Sequence, residues 1–200
     1  MKSLFSDFFL YFFAAAFTQN LILTTGLGSS LLLRFLTKPH GMRSFSASLI
    51  AFCLVTSCSF YPIDKYLLST SVLDKMLRPV ICIVVIGFWY LISIVVVRKA
   101  IHGRYAPLQA TLTYAAFNNM IVGLMIIANH QFTCDFLGTV GLSLGACVGF
   151  LIIMSLTKEA MARMNNPDIP KAFQGFPGAL LFLGILALAL CGFTSPISFL

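Results

Sequence analysis

Charge is what this chain has least of. Six Asp and Glu in 200 residues, a charged fraction of 10% and a single Trp exclude an ordinary soluble globule, in which about a quarter of residues are charged. Nothing reads G-x-x-x-x-G-K-S/T, no dinucleotide fingerprint is present and no nucleophile is paired with a base. The chain is not expected to be an enzyme by itself, and no catalytic residue is assigned. Cys53, Cys58, Cys82, Cys134, Cys147 and Cys191 form no C-x-x-C. Five of them fall inside apolar runs, where a thiol is a small hydrophobe, and Cys134 reads as a lone loop cysteine. Neither a disulfide framework nor a metal site is expected. Acidic residues are also missing from the middle of the apolar runs. Asp7, Asp64, Asp74, Asp135, Glu159 and Asp168 fall at ends or in loops, as do His40, His102 and His130. Proton carriers normally show a buried ionisable group, so this chain alone is not expected to carry protons. An ion path lined by amides, hydroxyls and freed carbonyls stays open.

What is present is grease. Hydrophobic residues make up 59% of the chain, at a mean hydropathy of +0.95. A membrane-spanning helix needs about 20 mostly apolar residues, and apolar runs fall at about 4–33, 44–62, 79–97, 106–128, 136–157 and 176–199. The expectation is an all-α integral membrane protein of six transmembrane helices in one membrane domain, residues 1–200. The N-terminal run resumes after Asn20 as Leu21-Ile22-Leu23, so it reads as a retained span rather than a cleaved signal peptide. Residues 61–78 open on Tyr61-Pro62 and scatter Tyr66, Leu67, Val72, Leu73, Met76 and Leu77, which suggests a short amphipathic helix at the interface.

The net charge of +7 is explained by loops rather than by nucleic acid, which is not an expected partner. Arg34, Lys38, Arg43, Arg98, Lys99, Arg104, Lys158, Arg163 and Lys171 fall on one side of such a bundle, and Lys2, Lys65, Lys75 and Arg78 on the other. Basic residues collect on the cytoplasmic side, so both termini are expected outside the cytoplasm of a bacterial-type plasma (inner) membrane.

Two runs carry polar interruptions. Thr18, Gln19, Asn20, Thr24, Thr25, Gly26, Gly28, Ser29 and Ser30 sit in the first, and Asn118-Asn119 with Gly123 in the fourth. Non-helical backbone at membrane depth is tolerated only under protein or beside a water-filled cavity. Spans one and four are therefore expected to be discontinuous, the first near Thr25–Ser30. Ala15-Ala16-Phe17 and Ala115-Ala116-Phe117 precede the two amide clusters. Interrupted segments at matching places are what an inverted repeat shows, here of three plus three helices over about 1–100 and 101–200. Gln19, Asn20, Gly26, Gly28, Asn118 and Gly123 are the candidate midplane residues. Taken singly, the asparagines read as interhelical hydrogen bonds; Gly141, Gly145 and Gly149, four apart, read as close helix packing.

The pattern N-N-x-x-L-x-x-x-L-G-x-C lies over Gln19, Asn20, Leu23, Leu27, Gly28 and Ser30, and N-C-x-x-x-G over Asn118, Asn119 and Gly123. Val96-Val97-Arg98-Lys99 and Val148-Gly149-Phe150 fit the third and fifth spans. Asp168-Ile169-Pro170, Phe173-Gln174-Gly175, Ala179-Leu180, Gly184, Leu188-Ala189 and Gly192-Phe193 follow a tail F-R-G…A-L…G…L-A…G-F. On these residues the chain resembles the membrane subunits of the Rnf/Nqr family, with A-type subunits of Rnf as the nearest pattern. The resemblance implies a role in ion-translocating electron transport, between reduced ferredoxin and NAD, coupled to Na+ or H+ movement. It implies as partners an oppositely oriented homologous subunit, further membrane subunits and flavin-bearing subunits. It also implies a two-iron two-sulfur cluster shared between paired subunits, each giving two cysteines. Here those two positions hold Ser30 and Asn119. A thiolate is the normal ligand of such iron, so no cofactor is expected on this chain alone. The alternatives are a cluster-less paralogue that transports an ion or small solute, and a membrane scaffold.

Overall fold

Helices make up the regular structure in the computed structural model, which describes residues 4–32, 42–67, 72–100, 105–130, 135–164, 169–170 and 173–191, with no strand among them. In order these are α1 (Leu4–Phe13), a π-helical turn (Ala14–Thr18), α2 (Leu21–Thr25), α3 (Met42–Leu67), α4 (Val72–Ala100), α5 (Tyr105–Ala116), α6 (Asn119–His130), α7 (Phe136–Met164) and α8 (Phe176–Cys191). A further helical turn covers 29–32. Four stretches are long and apolar enough to cross a membrane: Ser44–Tyr66, Met76–Lys99, Leu108–Ala128 and Phe136–Met164. Phe5–Thr18 and Phe176–Leu190 are apolar but shorter. This is a multi-pass helical membrane protein. Cys134, Asp168, Gly192-Phe193 and the basic residues Lys2, Arg34, Lys38, Arg104 and Lys171 lie outside the described residues.

Two expectations need correction. Residues 61–78 are not a separate interfacial helix: α3 runs on to Leu67 with Pro62 inside it, and α4 begins at Val72. Proline removes one backbone bond, but tertiary contacts hold the last turns of α3 helical. Tyr61 packs edge-on against Phe136 at 5.5 Å, and Asp64 reaches Arg78. The first run, in turn, is interrupted twice and not only near Thr25–Ser30. Gln19 leaves the helical region at φ −115°, ψ 46°, Asn20 is extended, and only then does α2 form and close on Gly26 at φ +71°.

α7 is the column of the fold. On one flank α1 runs parallel to it at a separation only glycine allows. A Cβ on Gly141 would stand 2.5 Å from the Phe8 carbonyl oxygen; one on Gly145 would collide with the Phe12 carbonyl; one on Gly149 would stand 2.8 Å from the Ala16 carbonyl. The four-residue step repeats on both helices, as small-x-x-x-small packing requires. On the other flank α3 runs antiparallel. Phe45 meets Phe150 at 6.1 Å between ring centroids, the Cys53 thiol donates to the Ser143 carbonyl at 3.7 Å, and Tyr61 meets Phe136. The core between these helices includes Phe45, Leu49, Cys53, Leu142, Cys147 and Phe150, all essentially inaccessible.

α4 is held differently. Only 17% of its span is buried, against 61% for α7, and polar ties supplement a narrow apolar strip of Cys82, Val85 and Ile86. Arg78 Nε lies 3.0 Å from Asp64 Oδ1, as a charge contact rather than an aligned hydrogen bond. Trp89 Nε1 donates to Ser59 Oγ at 2.9 Å, and Tyr90 and Thr113 share a hydroxyl hydrogen bond at 2.9 Å. Asp64 is buried and falls within an apolar span. The expectation that acidic residues sit only at ends and in loops therefore understates its environment: Arg78 supplies the counter-charge that lets a carboxylate stay there.

Candidate functional site at two interrupted helices

Each interruption is capped by a buried asparagine. Asn20, extended at φ −63°, ψ 116°, accepts from the Ile22 amide on Oδ1 at 3.1 Å. Asn118, which precedes α6, accepts from the Met120 amide on Oδ1 at 3.1 Å. An N-cap oxygen satisfies one of the donors that a helix start leaves bare, and in hydrocarbon no water would do so. That is why amides recur at these two places. The chain before each is matched as well: Ala15, Ala16, Ala115 and Ala116 are buried, while Phe17 and Phe117 point outward. The first break holds two residues more than the second between its phenylalanine and its capping asparagine, Thr18 and Gln19.

The remaining hydrogen-bonding capacity differs. Asn20 Nδ2 donates to the Ala16 carbonyl at 3.2 Å, so both ends of that amide are used. Asn118 is 1% exposed, and its Nδ2 has no hydrogen-bond partner among the described residues. The hydroxyls around the first break are folded back on their own helix: Thr18 Oγ1 donates to the Ala14 carbonyl at 3.0 Å, Thr24 Oγ1 to Asn20 at 2.9 Å and Thr25 Oγ1 to Leu21 at 2.6 Å. They offer little to a ligand.

The breaks lock into one another. A Cβ on Gly28 would meet the Phe150 ring at 2.9 Å and Asn118 Oδ1 at 3.4 Å, and Gly28 is left-handed at φ +87°. A Cβ on Gly149 would meet Asn20 Nδ2 at 2.7 Å, and one on Gly123 would collide with the Leu27 side chain. Asn20 is thus pressed against α7, Asn118 against Gly28, and Leu27 against α6. Of the six candidate midplane residues, Asn20, Gly28, Asn118 and Gly123 take part in this junction. Gly26 supplies a left-handed turn with open space around it. Gln19 is half-buried and lines an outer groove. Leu27, Gly149 and Phe150 belong to the junction and escaped the sequence reading as site residues. Gly149 was visible as the last step of the packing stripe and, with Phe150, as part of the fifth-span pattern, but not as a site residue.

Ser30 and Asn119 face outward. Asn119 lines a cavity of about 700 Å³ between α4 and α6, with Leu27, Ile83, Ile86, Phe117 and Gly123 among its walls. The donors at these positions are a hydroxyl and a carboxamide, and both replace poorly the thiolates that hold an iron–sulfur cluster. The four cysteines whose surroundings are described stand elsewhere. Cys53 and Cys147 are both buried inside the α3–α7 contact; Cys82 is buried one turn from Arg78, and Cys58 is half-buried on α3. Among the described residues no three His, Cys, Asp or Glu side chains gather to hold a metal. At Ser30 and Asn119 the residues present do not fit the thiolate ligation of such a cluster.

Apolar spans interrupted by buried, asparagine-capped breaks define an integral membrane protein of the discontinuous-helix class. Residues 8–197 match the family described as Rnf-Nqr subunit, membrane protein, and the chain belongs to that family. It is similar to the A-type subunit of the ion-translocating oxidoreductase complex of Glaesserella parasuis, 26% identical over 94% of this chain and 96% of the relative. A protein of the same description from Psychromonas ingrahamii is 27% identical over 96% and 99%. The corresponding A-type chain of the Na(+)-translocating ferredoxin:NAD(+) oxidoreductase complex of Acetobacterium woodii is 28% identical over 64% and 69%.

Proposed function

We propose that this chain is a membrane subunit of an Rnf/Nqr-type complex that couples electron transfer between ferredoxin and NAD to the movement of Na+ or H+. The junction of the two asparagine-capped breaks is the observation that carries the reading. In such a subunit six helices form two inverted three-helix repeats, and the broken helices meet near the bilayer midplane. The pairing of contacts supports this arrangement. α1 packs on α7 as α5 does on α3, α3 on α4 as α7 does on α8, and α6 on α4 as α2 does on α8. Each member of a pair exchanges one half of the chain for the other. The chain sits in a bacterial inner membrane with both termini outside the cytoplasm, beside flavin-bearing subunits and an oppositely oriented homologous subunit. It ligates no cluster of its own, and its contribution lies in the polar break at Gln19, Asn20, Gly26, Gly28, Asn118 and Gly123.

A second reading rests on Ser30 and Asn119: a paralogue that has given up electron transfer and moves an ion or small solute by itself. One experiment separates the two. The chain is purified from its own membranes in mild detergent, its companions are identified by mass spectrometry, and flavin and iron are assayed. A homologous membrane chain together with flavin-bearing chains is the expected result. Recovery as a lone chain or homodimer without flavin refutes the subunit reading and favours the paralogue.

A further inference from the structure

The outer face of α1 carries a feature that a lipid-facing helix does not tolerate. Phe9, Phe13 and Phe17 stand about half exposed, at 55%, 54% and 53%, one turn apart. Phe13 and Phe17 lie nearly parallel with centroids 6.4 Å apart. Beside this ridge runs a groove of about 560 Å³ that ends on Thr18 and Gln19, at the point where the π-helical turn gives way to non-helical backbone. The Thr18 hydroxyl is spent on Ala14. The Gln19 side-chain amide meets no hydrogen-bonding group among the described residues. Gln19 lies near the middle of the stretch 4–32, which on the proposed subunit reading, with the broken helices meeting near the midplane, is the depth of the hydrocarbon core. Irregular backbone and a bare amide at that depth are stable only under protein or beside a water-filled cavity. The groove is walled by Phe9, Leu10, Phe13 and Phe17, too apolar to hold water, which leaves protein as its cover, and amides there pair with polar side chains on neighbouring helices.

We propose that the Phe9–Phe13–Phe17 groove seats a membrane-spanning helix of a different chain. That helix presents a Ser, Thr, Asn or Gln to Gln19, and small residues where its backbone passes the phenylalanine ridge. This rests on the reading of the chain as one subunit of a complex, and it adds a contact face to it. The groove shares no residue with the Asn119 cavity. α1 packs against α7, whereas the Asn119 cavity opens between α4 and α6. The chain is then flanked on two separate faces within the membrane, with α7 between them.

The test places a photoreactive benzoylphenylalanine at Phe13 or Phe17 in the full chain, in its own membranes with its complex present. Parallel substitutions at Phe117, on the other face, and at Leu188, 76% exposed on α8, serve as references. Irradiation is followed by mass spectrometry of the adducts. The inference expects Phe13 and Phe17 to join to an apolar segment of at least about 18 residues in a different membrane chain, one carrying a polar residue near its centre, and Leu188 to join to lipid. Lipid adducts alone at Phe13 and Phe17, or adducts to a second copy of this chain, overturn it. Protein adducts at Phe117 with lipid adducts at Phe13 and Phe17 sink this inference and leave the subunit reading standing; lipid at every position sinks both. Gln19→Leu, which keeps the ridge and removes the amide, is expected to lower the Phe13 adduct yield by about threefold to twentyfold. An unchanged yield refutes the role given to Gln19.

Discussion

Replacing Gly141 by alanine tests the central packing claim directly. The new Cβ would lie 2.5 Å from the Phe8 carbonyl oxygen, 3.2 Å from the Phe8 carbonyl carbon and 3.0 Å from its ring. Ordinary contact begins roughly 0.9 Å further out than the closest of these. Two of the three atoms are backbone, so α1 has to recede as a unit and cannot simply turn a side chain. Overpacking of this kind costs about 1–3 kcal/mol. Alanine also returns about 0.5–1 kcal/mol, because glycine is the poorer helix former. Gly184→Ala isolates that second effect: Gly184 is helical in α8 and nothing stands within 4 Å of its Cβ direction. The difference between the two variants therefore reads the packing effect alone, about 1–3 kcal/mol, or a midpoint gap of about 2–12 °C for a chain of this length. Heating in detergent followed by size-exclusion detection of the surviving monodisperse protein measures it. Equal midpoints for Gly141→Ala and Gly184→Ala would show that α1 does not lie against α7 at glycine distance.

Other expectations follow from the same geometry. Asn20→Ala removes a cap and also strips the Ala16 carbonyl of its donor, so it should destabilise more than Asn118→Ala, which removes a cap alone; each cap is worth about 0.5–2 kcal/mol, and the same heating assay ranks them. Gly28→Ala should cost more than Gly26→Ala: both pay about 1–2 kcal/mol for a left-handed backbone, but only Gly28 also meets Phe150, and equal losses would argue against the packing of Gly28 on α7. Asp64→Asn leaves the partly buried Arg78 guanidinium without the Asp64 carboxylate and should lose up to about 3 kcal/mol, whereas Asp64→Asn with Arg78→Gln should recover most of it. Additive losses in that double-mutant cycle would mean the pair is not coupled.

Much of this was legible from residue order, and the exceptions have identifiable causes. The apolar runs located the spans, and the four-residue glycine step on α7 found its packing face because helical phase is preserved along one unbroken element. At a break that phase is reset, so spacing could not show that Asn20 and Asn118 turn inward while Gln19 and Asn119 turn outward. The extra Thr18-Gln19 hid the match between the two capping asparagines. Asp64 and Arg78 looked like boundary charges because their burial exists only once α3 and α4 are side by side. Leu27 could not be recognised as a junction residue either, since its partner is the missing side chain of Gly123, far along the chain.

The contrast between α7 and α4 bears on how the molecule can move. Contacts spread along a glycine seam contain no single bond whose rupture frees the helix, so α7 and α1 yield together or not at all. α4 is fastened at discrete points to Asp64, Ser59 and Thr113. In a medium without water each of these is strong, yet each can be exchanged for an equivalent group brought by something else. α7 is thus held by one continuous seam, whereas α4 adds three exchangeable polar fastenings to the narrow apolar strip of Cys82, Val85 and Ile86.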